Sequence, residues 1–126
     1  WPERAPRLFW DEDYARSTRF GGIVAPEDFN VFGWSVEGGL DPYRSDDMLD
    51  AFVRMGIGPN VLNGGNDTEY HIRMRPGDVI TAVTTVDDIY LREGRLGTML
   101  FTIQKVLWTN QNGKAVKTMR HTGIRY

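Results

Sequence analysis

Two histidines are the natural candidates for proton transfer in this sequence. His71 and His121 are the only histidines, and an unperturbed imidazole, which titrates near about pH 6.5, suits a general base. His71 follows Tyr70 in an alternating segment, where a histidine also fills aromatic space on a strand. His121, on the predicted last strand, suits a structural role better. His71 is therefore the histidine to consider as a base.

The acidic residues occur in adjacent pairs and triplets, which raises the question of a metal site or a carboxylate pair. No cluster has metal-ligand spacing with a histidine, and adjacent residues do not face each other on a helix or strand. We therefore expect no metal site. Glu27 is the best catalytic candidate, although an acid there also stabilises the start of a helix. The clusters are Asp11–Asp13, Glu27–Asp28, Asp46–Asp47 and Asp87–Asp88.

Helices are predicted in the first half of the chain. Ala25-Pro26-Glu27-Asp28 predicts a helix start, because proline suits the first helical position and acids suit the first turn. The apolar residues that follow predict a short helix ending near Gly38–Gly39. Shorter helical turns are predicted over Glu12–Thr18 and Ser45–Met55. Residues 40–66 otherwise predict a long, partly irregular excursion. The apolar positions of the predicted helix are Phe29, Val31, Phe32 and Trp34.

The second half of the chain has the pattern of antiparallel strands. Period-two alternation begins at Tyr70 and continues through Val86, and Met99–Trp108 and Ala115–Tyr126 are two further β-rich runs. Turn sequences separate them, and the Asn-Gly pair at 112–113 is the strongest hairpin signal. Helices followed by such strands predict an α+β fold. The turn sequences are Arg75–Asp78, Glu93–Gly97 and Asn110–Gly113.

Composition limits the class of protein. With 126 residues, 40% of them hydrophobic, the chain predicts one globular domain over residues 1–126. A net charge of −2 and no visible basic face argue against nucleic acid. No apolar run approaches the roughly 20 residues of a membrane span. The absence of cysteine excludes disulfides and thiolate chemistry, and we expect a cytoplasmic protein.

The stretch from Leu8 to Pro26 resembles the entry to the central helix of MaoC-like hot-dog dehydratases. Active members have a pattern close to D-x-N-P-x-H-x-D-x-x-Y-A, in which the first Asp and the His act as acid and base on an acyl thioester. Aligning Asp11, Tyr14 and Ala15 on the end of this pattern places Phe9 at the His and Arg4 at the Asp. The resemblance therefore covers the scaffold residues and not the catalytic ones.

A second series of motifs resembles the N-terminal dehydratase domains of the same family. The likeness covers nearly the whole chain and implies a hot-dog fold, an antiparallel sheet wrapped around a central helix. The family's first strand would precede Trp1. The matching positions are Asn63-Gly64-Gly65, Tyr70, Arg73, Arg75–Asp78, Gly94–Gly97 and Thr109–Gly113.

The resemblance implies that two hot-dog domains pair and bind acyl-CoA at their seam. Active halves polarise the thioester carbonyl with a backbone N–H at the helix start, usually in a His-Gly sequence. This chain has Ala25-Pro26 there, and proline has no N–H. The expected role is that of a non-catalytic half of an enoyl-CoA hydratase or 3-hydroxyacyl-CoA dehydratase, with no cofactor besides the coenzyme A of its substrate. Substrate-binding candidates are Phe29, Phe32, Trp34, Gly64 and Gly65.

Other functions stay open at this point. The chain could be a homodimeric hydratase or thioesterase that uses Glu27 or His71, or a hot-dog binding or scaffold protein without activity. A cone-shaped α+β ligand-binding domain has a similar order of elements. The three aromatic candidates also suit a hydrophobic core as well as an acyl tunnel.

Overall fold

The computed structural model describes residues 5–32 and 46–126 of the chain. A short 3-10 turn, η1 (Arg7–Phe9), precedes helix α1 (Glu12–Ser17), and helix α2 (Asp46–Arg54) precedes the strands. Strands β1 (Val61–Tyr70), β2 (Thr81–Gly94), β3 (Gly97–Thr109) and β4 (Ala115–Arg125) form one sheet in the order β1-β4-β3-β2. The predicted α+β class is confirmed.

Helix α1 lies where the sequence predicts a helical turn, and local contacts explain it. The Asp11 carboxylate caps the helix by accepting a hydrogen bond from the Tyr14 N–H at 3.0 Å. The Arg7 guanidinium lies 2.6 Å from the same carboxylate. These two contacts, the Tyr14 N–H first, lower the pKa of Asp11. Ala15, in the same short helix, is fully buried, so the cap fixes the helix over its core contact.

The prediction of a helix that starts at Ala25–Asp28 is wrong for the residues that the structure describes. Residues 25–32 form turns and irregular backbone instead of a helix. The Phe29 N–H donates to the Pro26 carbonyl at 3.1 Å, and the Phe32 N–H donates to the side-chain oxygen of Asn30 at 3.0 Å. Such local side-chain acceptors compete with helical hydrogen bonds. The predicted continuation through Trp34 to Gly39 lies outside the described residues.

The prediction of a partly irregular excursion over residues 40–66 is wrong for residues 61–66, which belong to strand β1. Its first half includes Gly64 and Gly65, which stand in a strand and not in a turn. A Cβ on Gly64 would lie 2.8 Å from the Thr122 side chain and 3.0 Å from that of Ile124. Strand β4 approaches so closely that a side chain at position 64 would force these two side chains to move, which favours glycine there. No local sequence pattern reveals this packing constraint. The helical turn predicted within this stretch is confirmed by α2.

The hairpins follow the predicted turn sequences. Gly97, the first residue of β3, has a φ value of 93°, and Gly113, between β3 and β4, has one of 72°. Both values favour glycine. In the second turn the Gly113 N–H donates to the Asn110 carbonyl at 2.9 Å, and the Asn110 N–H donates to the Lys114 carbonyl at 3.0 Å. Reciprocal bonds between Asn60 and Tyr126 show that β1 and β4 are antiparallel.

The chain divides into two compact units. The first comprises Trp1–Gly33, Glu69–Ala82 and Leu107–Thr118, and the second comprises Trp34–Thr68, Val83–Val106 and Met119–Tyr126. Buried residues of the second unit are Ile57 and Leu100. Buried residues of the first unit are Ala15, Val24, Met74, Trp108 and Val116, together with Lys117.

No described helix is long and apolar enough to cross a bilayer.

Candidate functional site

An apolar pocket of about 270 Å³ lies in the first unit. Phe9 of η1 and Pro26 both line it, as expected if the two residues occupy the positions of the histidine and the oxyanion donor. A cavity of about 150 Å³ is large enough for benzene, so this pocket has room for a bulkier apolar group. We call it the acyl-sized pocket. Its other lining residues are Ile23, Val24, Ala25, Phe29, Val31, Met74, Arg75, Pro76, Asp78 and Ile80.

The pocket wall that contains Pro26 and Phe29 is tied to the rest of the unit by polar contacts. The Ala25 N–H donates to the Met74 carbonyl at 2.9 Å. The Tyr70 hydroxyl donates to the Asp28 carboxylate. This hydrogen bond is the main cause of the raised pKa of Tyr70. These contacts hold residues 25–29 against the sheet without helical hydrogen bonds.

Glu27, the carboxylate proposed as an alternative base, is engaged in an ion pair. Its side chain lies 2.6 Å from the Arg73 guanidinium, and both side chains are partly exposed. Glu27 is not among the lining residues of the acyl-sized pocket. It borders a narrow cleft of about 20 Å³ next to that pocket. This volume holds about one water molecule, so the cleft is too small for an acyl chain.

The two histidines also have partners. His71 follows the end of β1, is exposed, and has its Nε2 3.0 Å from the Thr118 hydroxyl. It borders the narrow cleft, not the acyl-sized pocket. In the second unit, His121 Nδ1 lies 2.7 Å from the Asn66 side-chain oxygen, beside an apolar depression of about 490 Å³. Within the described residues, neither histidine is bonded to a carboxylate.

The substrate-binding candidates do not come together in one place. Phe29 lines the acyl-sized pocket, whereas Phe32 packs edge-on against Trp108 with ring centroids 5.0 Å apart. Gly64 and Gly65 belong to the second unit and are not lining residues of this pocket. Trp34 and Arg4 lie outside the described residues. Phe29 is thus the one described candidate that this pocket uses.

Lys117 is a buried cation that the sequence does not reveal. It is 4% exposed, and its Nζ lies 3.9 Å from the centre of the Trp108 ring and 3.3 Å from the Phe29 carbonyl. Burial lowers the pKa of Lys117, and the nearby Asp28 carboxylate opposes that shift. By bonding the Phe29 carbonyl, Lys117 holds one wall residue of the pocket. Lys117 follows Val116 in β4, and both residues are buried. The alternating pattern of a strand predicts that only one of two consecutive residues is buried.

Lys117 leads to a prediction about pH and stability. Its pKa is lower in the folded chain than the unfolded value of 10.5. Between these two values the unfolded state binds more protons, so wild-type stability rises with pH there. In Lys117→Met this contribution is absent. The wild type should therefore gain stability over Lys117→Met as pH rises toward 10.5, by at most about 1.4 kcal/mol per pH unit.

Urea unfolding of both proteins at a series of pH values from neutrality to 10.5 measures this difference. Lys114→Met removes a lysine from the exposed hairpin turn and controls for the loss of one charge. A stability difference between wild type and Lys117→Met that stays constant over the series would show that burial does not perturb Lys117.

Comparisons with known proteins identify relatives of this chain. A family model described as "FAS1-like, dehydratase domain region" matches residues 3–119. No curated protein matches the sequence. Among solved structures, the ChsH1-ChsH2 complex from Mycobacterium tuberculosis is similar with a TM-score of 0.75 and 22% identity, over 97% of this chain and 73% of that chain.

Two further solved structures have the same fold. A MaoC-like dehydratase from Rhodospirillum rubrum matches with a TM-score of 0.62 and 20% identity, over 94% of this chain and 73% of that chain. The C-terminally truncated HadBC (3R-hydroxyacyl-ACP dehydratase) complex from Mycobacterium tuberculosis matches with a TM-score of 0.58 and 18% identity, over 94% and 74% of the two chains. The α+β hot-dog fold expected from the sequence is confirmed.

Proposed function

Because this chain belongs to the FAS1-like dehydratase domain family, with the hot-dog fold of MaoC-like dehydratases, we propose that it is the non-catalytic half of an enoyl-CoA hydratase or 3-hydroxyacyl-CoA dehydratase. The reaction is the reversible syn addition of water across the double bond of a 2-enoyl thioester. A catalytic partner half supplies the acid and the base. This half forms part of the acyl pocket and acts without a cofactor of its own, in the cytoplasm.

The observation that carries the proposal is the chemistry of the pocket wall. Phe9 and Pro26 line the same apolar pocket. A phenyl ring cannot transfer a proton, and the proline nitrogen has no hydrogen with which to stabilise an oxyanion. A site that catalyses hydration needs a group for each task. Asp78 also lines the pocket, but its two carboxylate oxygens accept hydrogen bonds from the Gln111 amide and the Arg75 N–H. The pocket in this half therefore supports binding better than proton transfer.

The role of these residues in the reaction is to bind the acyl group and exclude water from it. Phe29, which is 41% exposed, and the half-buried Ile23 offer apolar surface to a hydrocarbon chain, and burying that surface favours binding. During hydration, a proton goes to the α carbon of the thioester and hydroxide to the β carbon, both through the partner. Holding the chain in one orientation raises the rate of that step.

We further propose that the acyl group is bulky, such as a branched or polycyclic one. Phe9 and Pro26 are among the residues that line about 270 Å³ of mainly apolar space. That volume exceeds the roughly 150 Å³ in which benzene binds. A substrate series from crotonyl-CoA to branched and ring-bearing enoyl-CoAs tests this size preference.

The proposed partner is a second hot-dog domain. The ChsH1-ChsH2 and HadBC structures are complexes of such domains, and this chain has two edge strands, β1 and β2, in the sheet that the structure describes. Strand β2 has 14 residues and exposes Val83, Val86, Ile89 and Leu91. An exposed edge strand of this length presents unpaired backbone groups and apolar side chains that favour pairing.

Co-expression with a catalytic half tests the proposal. The partner to test is a small protein that retains D-x-N-P-x-H, and an adjacent gene that encodes one would favour the proposal. We expect the two chains to co-purify as one complex by sedimentation, with enoyl-CoA hydration at least about 100-fold above either chain alone, the lower range for general acid–base catalysis. Replacing the partner's catalytic histidine should abolish the activity and preserve the complex. A chain that is a folded monomer at micromolar concentration and does not bind the partner would contradict the assignment.

A further inference from the structure

Two turns next to the acyl-sized pocket are joined by one pair of side chains. The Gln111 amide nitrogen donates to Asp78 Oδ1 at 3.0 Å, and the Gln111 amide oxygen accepts from the Val79 N–H at 3.1 Å. The other Asp78 oxygen accepts from the Arg75 N–H at 2.8 Å. Every contact matches a donor with an acceptor, so the amide has one orientation here. We call this arrangement the Asp78–Gln111 clasp.

The clasp holds a piece of the pocket wall. Arg75, Pro76 and Asp78 line the pocket, and Ile80 lines it two residues beyond the turn. The turn itself is short, closed by the Asp78 N–H donating to the Arg75 carbonyl at 3.1 Å. Gln111 is exposed and does not line the pocket. Its bonds therefore act on the pocket through the position of the turn.

The position of Gln111 is itself well defined. It stands in the hairpin turn between β3 and β4, where the Asn110 side-chain oxygen accepts from the N–H groups of Asn112 and Lys114 at 3.0 and 3.1 Å. A turn fixed by its own hydrogen bonds is a suitable anchor for a neighbouring turn. The clasp thus connects a rigid hairpin to the turn that bears Pro76.

We propose that Gln111 is a positioning residue for acyl-group selection. It fixes the Arg75–Asp78 turn so that Pro76 and Ile80 form a wall of constant shape. The identity of the ligand in this inference rests on the proposed function. The clasp itself, and its effect on the binding of apolar ligands, do not depend on that function. Loss of the clasp should weaken binding of a bulky apolar ligand, which needs the whole wall, more than that of a short one.

A donor–acceptor exchange tests the clasp. Gln111→Glu places a second carboxylate against Asp78 and removes the donor, so the contact becomes repulsive. Asp78→Asn in the same chain restores it, because the introduced amide can donate to the introduced carboxylate while its oxygen still accepts from the Arg75 N–H. Asn112→Asp adds the same negative charge to the same turn, one residue away from the clasp, and serves as the control.

Two measurements separate the clasp from the proposed function. The first is the affinity of the full chain for the apolar fluorophore N-phenyl-1-naphthylamine, and the second is KM and kcat of the complex with crotonyl-CoA and with a ring-bearing enoyl-CoA. We expect Gln111→Glu to weaken fluorophore binding three- to tenfold and to raise KM for the bulky substrate by a similar factor. The KM for crotonyl-CoA and both kcat values should change by less than twofold.

The double variant should return to within twofold of wild type, and Asn112→Asp should match wild type throughout. Unchanged fluorophore binding in Gln111→Glu, or a double variant no better than Gln111→Glu, would overturn the clasp. Restored fluorophore binding in a complex that hydrates no enoyl-CoA would instead refute the proposed function and leave the clasp in place. Equal loss for the short and the bulky substrate would show a merely structural role.

Discussion

The isolated chain is expected to hydrate crotonyl-CoA and longer 2-enoyl-CoAs at no more than the uncatalysed rate. General acid–base catalysis contributes about 10²–10⁴-fold in enzymes. The pocket that we propose for the acyl group is lined by Phe9 and Pro26, and neither side chain can transfer a proton. The loss of the ultraviolet absorbance of the conjugated enoyl thioester measures the rate. The complex with a catalytic half, at the same chain concentration, is the positive control.

Activity of the isolated chain would identify another base, and two variants would locate it. Glu27→Gln removes the carboxylate that pairs with Arg73 at 2.6 Å. His71→Ala removes the imidazole that lies 3.0 Å from the Thr118 hydroxyl. Turnover that disappears in either variant would establish the homodimeric alternative. The structure makes both poor candidates, because each borders the narrow cleft of about 20 Å³ and is already bonded to a neighbouring side chain.

The sheet could be predicted because its signals are local. The alternation predicted from Tyr70 through Val86 marks the first part of β2 but not residues 71–80, which are not in a strand. The β-rich runs mark β3 and β4, and Gly113 has the positive φ that an Asn-Gly turn requires. The Asp11 cap of α1 is equally local, since its acceptor and its N–H donor are three residues apart. Elements that depend on neighbours in sequence follow from propensity and turn chemistry alone.

The errors arise where distant residues decide the local structure. Residues 25–32 have a helix-start composition, yet Tyr70 and Lys117, far along the chain, bond to Asp28 and to the Phe29 carbonyl. Gly64 lies in a stretch that the sequence predicts to be irregular, but it belongs to β1, where the approach of Thr122 across the sheet favours glycine. Propensity is a weak prior that tertiary contacts override.

The sequence suggests one part of the candidate site and not the rest. The family motif places Phe9 and Pro26 at one site, and both line one pocket. Lys117 and Gln111 were not predicted to contribute, because their partners lie 88 and 33 residues away along the chain. A motif records which residues occur together, whereas the contacts that hold a pocket wall depend on the folded sheet.

Restoring catalysis in this half is expected to require Arg4→Asp, Phe9→His and Pro26→Gly together. The first two supply the acid and the base, and the third supplies a backbone N–H for the oxyanion. The variant is assayed in complex with a partner whose own catalytic histidine has been replaced, so that any turnover comes from this half. We expect hydration of crotonyl-CoA at least about 100-fold above the wild-type complex with the same partner, the lower range for acid–base catalysis.

Each substitution alone should leave the rate at background, because residues that act as one catalytic unit are strongly non-additive. The matched control is Arg4→Asn with Phe9→His and Pro26→Gly, which preserves size and the N–H but removes the carboxylate. Since Arg4 lies outside the described residues, its role rests on the alignment with D-x-N-P-x-H, and this control tests it directly. Equal activity of the Asp and Asn triple variants would exclude Arg4 from the acid position. A single substitution that restores turnover by itself would show that the other two groups were never missing from this half.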